Sequence, residues 1–260
     1  MFMTIMIKKS RLQLILGLVL VLLLLLLAPL LFDLPGRLAA VVNQNDRLVP
    51  IYYVQTDEKK VAISFDASWG AERTRKILDT LREFGIKTTF FLTGFWVEDY
   101  PEYVKLIAQE GHELGNHTYS HPHLSSLSPE QIREELLRLE RMIAEVSGQK
   151  PSLFRPPFGE YNNEVLRVAG ELGYKTIQWS VDSLDWQNIS KDELIGRVTG
   201  RAHQGAIILF HNNGLYTADA LPYIIEYLHK NGYRIVPISE LIYHDHYYID
   251  PQSGAQIKKE

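Results

Sequence analysis

Five short polar clusters in this chain carry residue types that can do chemistry, and each stands at the end of an apolar run. They are Ser64-Phe65-Asp66, His117-Thr118-Tyr119-Ser120-His121, Arg155-Pro156-Pro157-Phe158-Gly159, Asp182-Ser183-Leu184-Asp185-Trp186 and Leu209-Phe210-His211. Together they offer a carboxylate suited to a general base, two imidazoles four positions apart, a guanidinium, a second carboxylate beside a tryptophan, and a lone histidine closing an apolar strand. Such a set suits metal-assisted hydrolysis of an amide.

Each member has a plainer reading as well. The His117/His121 spacing puts both rings on one side of a helix or tight turn, where they could share a cation; it also describes two surface histidines in a polar loop. Asp66 is a base candidate or the cap of the helix that follows. Arg155 could keep Asp66 ionised and oriented, and the two prolines after it make a stiff, specific backbone rather than a generic loop. His211 is either a satisfied core histidine or, hydrogen-bonded by Asp185, an imidazolium able to protonate a leaving amine. Trp186 and Leu209 would then form an apolar wall of about acetyl size, or simply core. His244-Asp245-His246 reads as solvated tail.

The elements between the clusters must bring them together. From Lys59 onward, strand-like and helix-like patterns alternate. Strands are predicted at Val61–Phe65, Thr88–Leu92, Glu113–Asn116, Thr176–Val181, Ala206–Phe210 and Arg234–Pro237, and Leu153-Phe154 leads into the Arg-Pro-Pro cluster. Helices are predicted at Arg73–Phe84, Pro101–Gln109, Ser128–Val146, Asn163–Leu172, Lys191–Ala202 and Ala218–Lys230. Ser128, Pro129 and Gln131 form a capping box with proline at the first helical position. Short connections imply parallel strands. Asp66, His117, Arg155, Asp185 and His211 all fall at C-terminal strand ends, which converge on one face of a barrel. The predicted fold is therefore α/β: a distorted (β/α) barrel of about seven parallel strands, preceded by an N-terminal transmembrane helix.

The chain has 260 residues, a net charge of −4 and no cysteine. The charge gives no electrostatic footprint for nucleic acid, and disulfides, thiolate metal sites and cysteine nucleophiles are excluded. Leu14–Phe32 is an apolar run long enough to cross a bilayer, preceded by Lys8, Lys9 and Arg11. The positive-inside bias puts the N-terminus in the cytoplasm and the rest outside. An uncleaved anchor is preferred to a signal peptide, whose apolar region is shorter and ends in a small-residue site. The predicted organisation is basic flank and anchor at 1–33, linker at 34–57, with Ile51–Val54 a candidate edge strand, catalytic domain at 58–245, and polar, frayed tail at 246–260.

Taken together, His-Thr-x-x-His, Arg-Pro-Pro-x-Gly and Asp-x-x-Asp-Trp, in this order, resemble the polysaccharide deacetylases of the NodB-homology type, carbohydrate esterase family 4. The resemblance covers about Lys59 to Leu241. The lead-in Pro50-Ile51-Tyr52 and Phe-Asp-Ala-Ser-Trp-Gly resemble a sporulation-associated, membrane-anchored branch. The resemblance implies Asp66 as general base, His117 and His121 as ligands of a divalent metal of Zn or Co type, and Arg155 as the residue positioning the base. It implies the Phe158 N–H at the oxyanion, His211 as acid, Asp185 as its tether, and Trp186 with Leu209 around the acetyl group. The implied substrate is an N-acetylated cell-wall glycan such as peptidoglycan. The chain departs from the family at Ala67, where a second aspartate would be the third metal ligand. A water, Asp66 itself or His123 are candidates for that place, and a glycan-binding protein without turnover is the alternative function.

Overall fold

Alternation along Lys60–Ala67 builds the central strand, β2. Val61, Ile63, Phe65 and Ala67 join one apolar cluster with helix residues such as Ile77, Leu81 and Ile224. Ala62 joins a different cluster with Phe91 and Ile207, while Ser64 and Asp66 hydrogen-bond with Arg155. Successive strand side chains point to opposite faces, so β2 turns one set toward the helices and the other toward the barrel interior.

The computed structural model describes Leu18, Leu23 and residues 47–259. The predicted anchor, apart from Leu18 and Leu23, and the linker up to Asp46 lie outside the described residues. Among the described residues no helix is long and apolar enough to cross a membrane.

Around β2 stand β3 (Thr89–Leu92), β4 (Glu113–Asn116), β5 (Leu153–Phe154), β6 (Lys175–Thr176), β7 (Val181–Asp182), β8 (Ile207–His211) and β9 (Arg234–Ile235). The order is β6-β5-β4-β3-β2-β8-β7, with β9 also on β2, and every pair is parallel. The two outermost strands, β6 and β7, are neighbours in the chain. Laid flat, six strand spacings would separate them by about 29 Å, yet residues 176 to 181 can span only about 18 Å. The sheet must therefore curl nearly closed, as the barrel expectation requires.

That closure corrects one expectation. Thr176–Val181 was predicted as one strand, but the structure splits it. Thr176 stays on β5, Val181 pairs with β8, and Ile177 bridges to Ile51 between them. The backbone N–H groups of Gln178 and Ser180 donate to Ile51 and Ile207, so the crossing segment is paired to both sides of the gap.

Helices cover the outside: α1 (Thr74–Glu83), α2 (Gly94–Asp99), α3 (Pro101–Gln109), α4 (Pro129–Ser147), α5 (Asn163–Glu171), α6 (Lys191–Thr199), α7 (Thr217–Lys230) and the short α8 (Ile238–Leu241). The capping box at Ser128 is present in both directions. Helix α2, unannounced by periodicity, follows directly on β3.

The candidate edge strand at Ile51–Val54 appears as β1 (Tyr53–Val54), but residues 246–260, expected as a frayed tail, contribute β10 (Tyr247–Ile249) and β11 (Ala255–Lys258). These form a separate sheet, β1-β11-β10. Ala255 and Gln256 are buried there, and Gln256 exchanges two hydrogen bonds with the Tyr243 backbone. Its polar composition hid a segment that is paired rather than solvated.

Candidate active site

Asp66 stands one residue before the end of β2, with its side chain inward. Its Oδ1 accepts a 2.7 Å bond from Arg155 Nη1. Arg155, just beyond β5, is fully buried; its Nη2 donates to Ser64 Oγ and the Gln178 carbonyl, and its guanidinium lies 4.1 Å from the Phe91 ring centre. Burial alone would raise the Asp66 carboxyl, but the Arg155 charge, with His117 and His211 nearby, holds it below its ordinary value. Asp66 is thus an ion at neutral pH and does not cap a helix.

His117 and His121 come together on a loop, not on a helix. β4 ends at Asn116, and Thr118 and His121 both take positive φ, 67° and 56°. Asn116 Oδ1 accepts from the Thr118 N–H, Thr118 Oγ1 from the His121 N–H, and Glu135 binds Ser120 twice. Gly94 completes the anchorage: its N–H reaches the Thr118 and Tyr119 carbonyls, and any Cβ there would strike the Tyr119 ring. His117 Nδ1 donates to the Arg155 carbonyl at 2.7 Å, which leaves the lone pair of the neutral ring on Nε2. Burial lowers the pKa of both histidines, that of His121 to about 4, so both are neutral. Their ring centres are 5.0 Å apart.

His211 ends β8 and is the register partner of Asp66 across two adjacent strands. Asp185 holds it by two contacts of 2.7 Å, Nδ1–H to Oδ1 and backbone N–H to Oδ2. Thr217 Oγ1 donates to the same Oδ2 at 2.6 Å. Burial would lower the His211 pKa, but the bond and charge of Asp185 outweigh it and raise it. Gly214 makes room for this knot, since a Cβ there would strike Thr217 Oγ1 and press on Asp185.

Asp66, His117, His121, Phe158, Trp186, Leu209 and His211 line one cleft of about 680 Å³. Arg155 and Asp185 lie behind it. Sequence reasoning missed further walls: Trp69, Trp179, Asp182 and Asn213. Trp69 carried a usable signal, an aromatic three residues past a strand-end aspartate. Ser64, Asn116 and Thr217 carried none, because their partners are far away in the chain.

A divalent metal finds an incomplete donor set. Two neutral imidazoles are present, but Ala67 is fully buried in an apolar cluster and offers no donor. Asp66 gives Oδ1 to Arg155, and its Oδ2 lies 3.6 Å from His117 Nε2. His123, a candidate for the missing place, is instead bound to Glu160 at 2.6 Å and stacked on Phe158. Among the described residues no group of three His, Cys, Asp or Glu is arranged to hold a metal ion.

Residues 53–177, which include Asp66, the histidine loop and Arg155, match the family pattern of polysaccharide deacetylases. The chain is 37% identical over 193 residues to the uncharacterized protein YlxY of Bacillus subtilis, covering 74% of this chain and 60% of that one. It is 38% identical over 189 residues to a peptidoglycan-N-acetylglucosamine deacetylase of Bacillus cereus, covering 71% and 69%. Among solved structures it is similar to BA3943 of Bacillus anthracis, described as a CE4 family pseudoenzyme, at 38% identity and a TM-score of 0.72, covering 74% and 68%. A mutant of BA3943 is described as having restored enzymatic activity, and it matches equally well. A relative 38% identical and covered over two thirds of its length, together with the similarity in fold to a solved CE4 structure, shows that this chain belongs to the polysaccharide deacetylase family, carbohydrate esterase family 4.

Proposed function

We propose that this protein is a hydrolase that removes N-acetyl groups from amino sugars of an extracytoplasmic polysaccharide, with peptidoglycan glycan as the substrate. One observation carries the reading. Asp66 and His211 are neighbours on adjacent parallel strands, each held by its own buried counter-charge, and both face one cleft. A binder has no need for a poised base and acid side by side.

Asp66, ionised and fixed by Arg155, takes the proton of the attacking water. The carbonyl oxygen gains charge as the tetrahedral centre forms, and the Phe158 N–H donates to it. His211, protonated with Asp185 behind it, delivers a proton to the amide nitrogen through Nε2, the nitrogen not bound to Asp185. The C–N bond then breaks to acetate and a free amino sugar. Leu209 and Trp186 flank the acetyl methyl. Ser64 and Gln178 keep the Arg155 fork in place.

A second reading, a glycan-binding envelope protein without turnover, is favoured by Ala67 and by the likeness to a pseudoenzyme. Acetate release from N-acetylated chitooligosaccharides and peptidoglycan, with and without added Zn²⁺ or Co²⁺, separates the two. Release that disappears in Asp66→Asn supports the hydrolase. Glycan binding with no release under any metal condition overturns it. We also propose that Leu14–Phe32 anchors the protein in the cell membrane with its domain outside, in cell-wall or spore-envelope modification. Recovery of a soluble protein beginning near residue 40 on fractionation would refute the anchor.

A further inference from the structure

One rim of the cleft carries a file of four rings. Trp69 stands edge-on to His121, with centres 5.0 Å apart, and His121 stands edge-on to Phe158 at 4.6 Å. Phe158 in turn lies nearly parallel on His123 at 4.5 Å. The two apolar members are exposed, Trp69 by 54% and Phe158 by 59%. Phe158 also holds a φ of 59°, a region that bulky side chains avoid because of their Cβ. The fold thus holds Phe158 in a strained backbone conformation and leaves two large aromatic rings more than half exposed, although each already packs against a histidine of the file. A ligand with flat apolar faces would cover the exposed rings.

The chemistry of the file narrows that ligand. Its four members include no lysine or arginine, and its outer histidine is matched by Glu160 at 2.6 Å, so it is not built to hold an anion. A pyranose ring fits better: its C–H face stacks on an aromatic ring while its hydroxyls meet polar groups such as the Glu160–His123 pair. Trp69, His121 and Phe158 line the same cleft as Asp66 and His211. A chain whose target sugar sits over that pair therefore runs on along the file.

We propose that this aromatic file binds the sugars adjoining the one whose amide enters the cleft, with Trp69 as the residue that sets preference for chain length. The proposal rests on the glycan as ligand, as in the reading above, and not on turnover.

The test is calorimetric binding of N-acetylated chitooligosaccharides, disaccharide to hexasaccharide, to the full chain, to Trp69→Ala and to Trp69→Phe, with acetate release followed on the same ladder. Wild-type affinity should rise with length. Trp69→Ala should lose about 3- to 10-fold at the hexasaccharide, the range of one aromatic stacking contact, and little at the disaccharide. Trp69→Phe should keep most of the gain. An unchanged length gain in Trp69→Ala, no length gain in wild type, or an equal loss at every length through a displaced His121 would each overturn the proposal. Length-dependent binding without acetate release would remove the hydrolase reading and leave the platform standing. Acetate release without length dependence would do the reverse.

Discussion

Arg155→Met deletes a charge from a pair whose side chains are 0% and 5% exposed. Removing one partner of such a pair costs about 3–5 kcal/mol, because the other charge is left buried. For a domain of this size each kcal/mol moves the melting midpoint by about 2–4 °C, so the expected drop at pH 7 is roughly 6–20 °C. The loss should depend on pH in a specific direction. In the wild type Asp66 titrates below its ordinary value of 3.8; its contribution is present above the unfolded pKa and is lost as pH falls through the folded one. In Arg155→Met, burial acts without the guanidinium to oppose it and drives the Asp66 pKa upward. The folded variant then binds a proton before the unfolded chain does, so its deficit against wild type shrinks as pH falls from 7 toward 4. Asp66→Asn is the mirror experiment. It strands Arg155, which cannot deprotonate, and its deficit should stay flat across the same range. Melts followed by circular dichroism at several pH values read both. An Arg155→Met deficit that does not change with pH, or one below about 2 °C, would refute the reasoning.

Other expectations concern turnover and ligands. Asp66→Asn and His211→Gln should each lower kcat by about 10²–10⁴, measured as acetate release. Asp185→Asn removes what raises the His211 pKa, so the alkaline limb of the rate–pH profile should move to lower pH; an unmoved limb would mean His211 is not the acid. Ala67→Asp puts a carboxylate into a fully buried position, so the metal-free variant should melt lower than wild type, and Zn²⁺ should bind it more tightly and restore the midpoint; calorimetry and melts check both. His112 accepts the Thr88 N–H on Nδ1 in a buried site, and burial lowers its pKa to about 4. The unfolded chain takes up that proton first, so wild type should lose stability as pH falls from about 6.5 toward 4. His112→Asn, which keeps an acceptor without the titration, should lose less in melts over that range.

Local signals determined much of this molecule. The capping box at Ser128, the 3.6-residue stripe of α1 and the apolar runs that became β2, β3 and β8 depend on neighbours within a few residues, so the sequence shows them directly. The same holds for the five clusters at strand ends, because a parallel sheet wound with helices brings those ends to one face whatever their distance along the chain. What lay hidden was long-range. Ile177 crosses from one edge of the sheet to the other because the curled sheet needs closing, and the β10–β11 hairpin is completed into a sheet by β1, some two hundred positions away. The spacing of His117 and His121 was compatible with a helix or a tight turn, and only the folded chain shows the loop with two positive φ values that pairs them. Ser64 beneath Arg155 and Thr217 beneath Asp185 have no periodicity to announce them. Their roles arise from packing between distant segments, and only the folded chain brings those segments into contact.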